Sequence, residues 1–176
     1  MTWSTPLTAV TNTALTAAQW NASVRDNLLE TAAAKATTAG RIFVATGANT
    51  LAEREIAEGV ADALVTTTST SWTSLSGNPA VTVTTGTQAL VFLTSRMNNS
   101  STGPACLASF AISGATTAPA DDAYCVLNEG NAAASIRAAT TTLIAVTAGS
   151  NTFTMRYRVA SNTGSFQWRR ILVMAL

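Results

Sequence analysis

The chain is 176 residues long, enough for one domain of common size with an extension and for a sizeable buried core. Charged residues make up only 11% against the roughly 25% usual for soluble domains, the net charge is +1, and no Lys or Arg run is present, which argues against a nucleic-acid groove. Histidine is absent, which removes the commonest general base and metal ligand, no apolar run approaches the roughly 20 residues of a membrane span, and no basic-then-apolar leader opens the chain.

Residues 1–15 are Thr-rich and contain Pro6, which predicts an extended arm carrying Trp3. Thr16-Ala17-Ala18-Gln19 is a capping box, with Leu15 and Trp20 at the positions of a hydrophobic staple. The helix it starts is expected to run to about Thr31, with Trp20, Val24 and Leu28 on one stripe. A single helix of that length has no core of its own, so the stripe needs a partner. Ala32 to Gly40 reads as a small-residue linker, Arg41 to Thr46 as a short strand, Gly47-Ala48-Asn49 as a turn, and Leu51 to Gly59 as charged and either helical or irregular.

At this point the chain resembles a known group. Trp3, Pro6, the run Leu15-Thr16-Ala17-Ala18-Gln19-Trp20-Asn21 and Val24-Arg25-Asp26-Asn27-Leu28, followed by Gly40-Arg41-Ile42-Phe43-Val44-Ala45-Thr46-Gly47-Ala48-Asn49-Thr50-Leu51-Ala52, resemble the N-terminal part of small virion surface proteins of tailed bacteriophages, particularly those of actinobacterial hosts. Such proteins are labelled head fibres and decoration proteins, or minor tail proteins and tail fibres. The resemblance covers about the first 60 residues well and the rest more loosely. It implies attachment to a particle, trimeric assembly and a head of the tumour-necrosis-factor-like jelly-roll kind.

The composition changes near residue 60. Residues 1–62 hold six of the nine acids, whereas residues 63–105 carry Arg96 alone among charged residues. Two parts are therefore expected: an anchoring arm, helix and stem over residues 1–58, and a head over residues 59–176. In the head, strands are predicted at Thr70 to Leu75, around Val81 and Val83, at Gln88 to Met97, at Cys106 to Ile112, at Tyr124 to Leu127 and at Ile136 to Thr147. Phe153, Met155, Tyr157 and Val159 then alternate with polar residues, and the turn Ser161-Asn162-Thr163-Gly164 leads into Phe166 to Leu176, read as a closing hairpin whose last strand is apolar on both faces. About eight short strands with turns every ten residues predict a mainly β, antiparallel sandwich, with the jelly roll as its expected form.

The chemistry of catalysis finds little support. Without histidine no triad can be assembled, and no Gly-rich phosphate loop follows a strand and opens a helix. Asp121-Asp122, with Asn128 or Glu129, is either a calcium loop or a solvated tip, the latter favoured. Glu53, Arg54, Glu55 and Glu58 read as surface ion pairs rather than catalytic carboxylates. Cys106 and Cys125 are buried thiols or one disulfide, Arg169-Arg170 a solvated or cross-chain-paired strand face, and Trp72 and Tyr124 core residues or a sugar platform.

The expectation is a non-enzymatic homotrimer of the virion surface, made in the host cytoplasm, without cofactor, metal, nucleic acid or membrane insertion. Trp3, Leu15, Trp20, Val24 and Leu28 are its expected contacts to capsid or tail proteins. Trp168, Ile171, Leu172, Val173, Met174 and Leu176 are its expected trimer interface, because a strand greasy on both sides must be covered on both. The alternative is a minor tail protein or short tail fibre whose loops 98–104, 114–123 and 128–135 bind a host-surface receptor or glycan.

Overall fold

A computed structural model describes residues 7–8, 11–129 and 134–176 and, of residues 32–33, the backbone only. The chain divides into two compact units, Met1–Glu55 and Ile56–Leu176. Trp3 and part of the loop 128–135 lie outside the described residues.

The first unit holds α1 (Ala17–Trp20), a π-helical turn (Asn21–Arg25), α2 (Asp26–Leu29) and α3 (Ala32–Lys35), followed by an antiparallel pair, β1 (Ile42–Gly47) and β2 (Thr50–Arg54). The capping box forms as expected: the Gln19 N–H donates to Thr16 Oγ1 at 3.2 Å, and the Thr16 N–H donates to Gln19 Oε1 at 2.9 Å. The expected single helix instead widens into the π turn after Trp20 and ends at Leu29. Thr31 then caps a further turn where a linker was expected, accepting from the Ala34 N–H. Leu51 to Gly59 is extended, neither helical nor irregular. Asn49 supplies the left-handed corner, at φ +56°, that lets Thr50 to Arg54 fold back on β1.

The second unit contains β3 (Ile56–Ala61), β4 (Val65–Thr67), β5 (Ala80–Thr85), β6 (Gln88–Asn99), β7 (Cys106–Gly114), β8 (Val126–Asn128), β9 (Ile136–Ala145), β10 (Gly149–Val159) and β11 (Gly164–Ala175). One sheet runs β5-β10-β7-β8, the other β3-β11-β6-β9 with β4 also paired to β11. All pairings are antiparallel. From β5 onward every connection crosses between sheets except β7 to β8, and that order is a jelly roll. The fold class read from the sequence therefore holds.

Period-two alternation makes the core. Val91, Leu93 and Met97 of β6, with Phe166, Ile171 and Val173 of β11 beside them, face Phe110 and Ile112 of β7 and Phe153, Met155 and Tyr157 of β10 in one buried cluster. The head begins at Ile56, three residues before the expected boundary, because Ile56 to Ala61 pairs with Met174 to Arg169 along the sheet edge. The closing hairpin is not one. β10 pairs with β5 and β7, β11 with β3, β4 and β6, so the turn at Asn162 carries the chain across the sandwich. Of the strand expected at Thr70 to Leu75 only the bridge Thr73 to Tyr157 forms, and Asp122–Tyr124 is a 3-10 turn ahead of the short β8.

Candidate functional site

The sheet β3-β11-β6-β9 has a second face, turned away from the core, and its register can be read row by row. At one end Ile56, Met174, Leu90 and Leu143 stand in line across four strands. The next row is Glu58, Leu172, Phe92 and Thr141, and the third is Val60, Arg170, Thr94 and Ala139. Seven of these twelve side chains are large and apolar, and none is fully buried. Ile56, Phe92, Leu172 and Met174, with Glu58, Thr94 and Arg170, line a shallow apolar depression of about 350 Å³. Arg170 is held at its rim by Glu58 at 3.3 Å and Asp62 at 3.7 Å.

Which residues of β11 face outward is decided by a bulge. Gln167 pairs with Arg96 and Arg170 with Thr94, so Trp168 and Arg169 together oppose Ser95. Trp168 sits at φ +49°, a left-handed conformation that bulky residues rarely adopt. The extra residue reverses the alternation. Before the bulge Gly164 and Phe166 point inward; after it Arg169, Ile171, Val173 and Ala175 do.

This corrects part of the expected interface. Ile171 and Val173 have 0% exposure and face the protomer's own core, so they have nothing to offer a neighbour. Leu172, Met174, Leu176 and the 40% exposed Trp168 are the members that stay accessible. Sequence reading missed Ile56, Leu90, Phe92 and Leu143, which complete the outward face from other strands. For Leu90 and Phe92 the signal was two apolar residues out of phase with the core set Ala89, Val91 and Leu93; Ile56 and Leu143 carry no such mark.

The bulge also overturns the reading of Arg169 as a surface or cross-chain residue. Its side chain is wholly buried, its guanidinium lies 5.5 Å from the Tyr157 ring centre, and Nη2 donates to the Ser76 carbonyl at 3.1 Å. Nε and Nη1 have no hydrogen-bond partner. Burial pushes the Tyr157 hydroxyl well above its ordinary range, with Arg169 opposing that shift.

Beyond the bulge the outward face turns polar. Gln167, Arg96 and Arg137 form one row, and Ser165 and Asn98 pair in the next. Leu64, Arg96, Asn98, Ser135, Ser165 and Gln167 surround an open cavity of about 340 Å³. Arg96 is fixed in place: Nη1 donates to Gln167 Oε1 at 2.9 Å, and the guanidinium carbon stands 5.1 Å from the centre of the Trp168 ring.

The remaining candidates resolve one by one. Trp20 and Leu28 are exposed and Val24 half-buried on the helical segment of the first unit, and Leu15, just ahead of its N-cap, is exposed. Leu7, Leu15, Trp20 and Val24 line a small cleft there, of about 210 Å³. Cys106 and Cys125 are both free thiols. Cys106 pairs with Asn128, three residues along from Cys125, and about 10 Å of strand separates those positions, beyond the reach of a disulfide. Asp122 pairs with Arg158, and the Asp121 carboxylate accepts from the Ala123 N–H at 2.8 Å. Among the described residues no three His, Cys, Asp or Glu side chains converge on a possible metal position. Trp72 and Tyr124 are both half-buried, Trp72 under Arg158 at 5.2 Å and Tyr124 stacked on Phe110 at 5.9 Å. The Glu53 carboxylate accepts from the Thr37 hydroxyl and from the backbone N–H groups of Thr38 and Thr37, which lowers its pKa, while Glu55 pairs with Arg41 and Glu58 with Arg170. Each has its own partner and they do not act as a cluster. No helix among the described residues is long and apolar enough to cross a membrane.

No family model and no curated protein matches the chain. Among solved structures it is similar to the Eiger TNF of S. frugiperda, at 12% identity over 70% of this chain and 92% of that one, with a TM-score of 0.48. The infectious bursal disease virus VP2 subviral particle matches at 11% identity over 75% of this chain and 37% of its own, with a TM-score of 0.47. A carbohydrate-binding module of Cellvibrio mixtus lichenase 5A, in complex with cellotriose, matches at 14% identity over 78% and 89%, with a TM-score of 0.35. At such scores the fold assignment rests on the strand order above.

Proposed function

We propose that the chain is a non-enzymatic structural protein of a tailed-phage virion surface, a homotrimer whose jelly-roll head assembles through the apolar half of its β3-β11-β6-β9 sheet. The observation that carries this is the outward row Ile56, Met174, Leu90 and Leu143 with Leu172 and Phe92 behind it. An antiparallel sheet that faces water on one side ordinarily alternates apolar-in with polar-out, and this end of the sheet does not. Covering such a side chain fully is worth about 1.5–3 kcal/mol. A second copy is the partner that needs no further assumption, and the low charge of the whole chain points the same way.

The first unit supplies attachment. Its exposed Leu15, Trp20 and Leu28 are single anchors of modest strength, which three linked copies convert into lasting attachment through avidity. Capsid attachment, as a decoration protein or head fibre, is the favoured version; the resemblance carried by residues 3–52 supports a place on the virion and covers head and tail proteins alike. Sedimentation of the full chain tests the assembly: a particle of three 18.1 kDa chains is expected, and a monomer at high concentration would sink the reading.

A further inference from the structure

We propose that the polar end of the same sheet face is a binding site for an anionic saccharide, with Arg96 and Arg137 holding its carboxylate or phosphate and Trp168 receiving its ring. The inference does not depend on where, or whether, the protein sits on a virion.

Three observations converge there. Arg96 and Arg137 occupy directly opposite positions on β6 and β9, on the same outward face. Like charges so placed destabilise a sheet unless something lies between them. Among the described residues neither forms an ion pair, and the acids at the β3 edge of the sheet, Glu58 and Asp62, are taken by Arg170. A guanidinium offers five donors in a planar fork suited to carboxylate and phosphate oxygens, and Gln167 engages only one nitrogen of Arg96. The pair is therefore set for an anion that the chain itself does not provide.

The second observation is Trp168. It stands in a left-handed bulge position that glycine fills at no cost, yet it carries the largest side chain and remains 40% exposed, with the Arg96 guanidinium over one face of its ring at 5.1 Å. Backbone strain kept at an exposed aromatic points to use rather than packing. An indole offers a flat apolar face to the C–H side of a sugar and a polar edge to its hydroxyls. The third observation is the adjoining cavity of about 340 Å³, which Arg96 lines together with Leu64, Asn98, Ser135, Ser165 and Gln167, while Arg137 and Trp168 stand outside its lining. Asn98, Ser135, Ser165 and Gln167 are hydrogen-bonding groups without negative charge, suited to hydroxyls around an anionic ring.

Titration of the full chain with a glucuronate-containing tetrasaccharide and with glucose 6-phosphate, each beside its neutral counterpart, separates the two anion sources. Binding of at least one anionic probe is expected, with at least tenfold preference over its neutral counterpart and weakening as salt is raised. Arg96→Gln and Arg137→Gln should each weaken it at least tenfold. Trp168→Gly should abolish it while leaving the unfolding midpoint unchanged or higher, because glycine relieves the bulge. Equal binding of neutral sugars, unchanged binding by the two arginine variants, or no binding of either anionic probe at millimolar concentration would overturn the proposal. So would loss of oligomer mass in Arg137→Gln with probe affinity intact, since an acid of a second copy would then be the natural anion.

Discussion

Arg169 is the residue whose role is furthest from its appearance in the sequence. A basic pair in a strand suggests one solvated face, yet adjacent strand residues point oppositely, so Arg169 and Arg170 cannot share a side. Arg170 reaches Glu58 and Asp62, while Arg169 lies under the Tyr157 ring with two nitrogens unpaired. A buried charge without an acid is costly, and an apolar residue of similar volume often does as well or better. Arg169→Met is expected to leave the urea midpoint equal or higher; a loss beyond about 2 kcal/mol would mean that the contact with Tyr157 outweighs desolvation. Alkaline pH probes the same neighbourhood. Burial raises the Cys106 thiol and the Tyr157 hydroxyl above their ordinary values of 9.0 and 10.0. The folded state then holds protons that the unfolded chain releases, so this contribution is complete below pH 9 and is lost as pH rises. Stability should fall as pH rises past each unfolded value, by up to about 1.4 kcal/mol per pH unit for Tyr157. Denaturant midpoints from pH 8 to 11 measure the slope, and Tyr157→Phe should make it shallower above pH 10.

At the scale of elements, β11 shows what a pattern can and cannot convey. Apolar residues from Ile171 to Leu176 announce a strand covered on both sides, but nothing in the letters says which alternate set enters the core. Extending the phase of Phe166 would place Leu172 and Met174 inside. The two-against-one bulge at Trp168 and Arg169 puts Ile171 and Val173 there instead. A sharp distinction follows. Val173→Glu should unfold the head, because the carboxylate would enter a packed core without a partner. Leu172→Glu should leave the β-sheet circular dichroism intact and lower the sedimenting mass from trimer to monomer. If the two variants behave alike, the assignment of faces is wrong. The strands paired across the sheet were equally unreadable: the short turn after β10 looks like a hairpin, and only the packing of both sheets shows that it spans them.

For the whole molecule, the division at Ile56 has a direct consequence. A fragment of residues 56–176 retains every described strand of the jelly roll and should unfold at the same denaturant concentration as the full chain. A fragment beginning at residue 62 lacks β3, uncovers the edge of β11, and should be less stable by several kcal/mol, since it exposes Ile171 and Val173 neighbours along six paired positions. The first unit is expected to matter for attachment and not for folding. Trp20 is 56% exposed, so Trp20→Ala should cost the isolated protein under about 0.5 kcal/mol yet lower its retention on particles, as counted by quantitative gel analysis of purified virions.

The sequence alone determined whatever depends on neighbours along the chain: the capping box at Thr16 and Gln19, the alternation that makes β6 and β10, the change of composition near residue 60, and the jelly roll as the form those strands would take. It also named Leu172, Met174 and Trp168, though mixed with residues that turn inward. Tertiary structure decided the rest, because the rest depends on register between distant segments. One added residue in β11 reverses every side chain after it, and pairing across four strands brings Ile56, Leu90, Phe92 and Leu143 into line with Met174 and Leu172. The same pairing sets Arg96 opposite Arg137, and no local pattern encodes a meeting of residues forty positions apart.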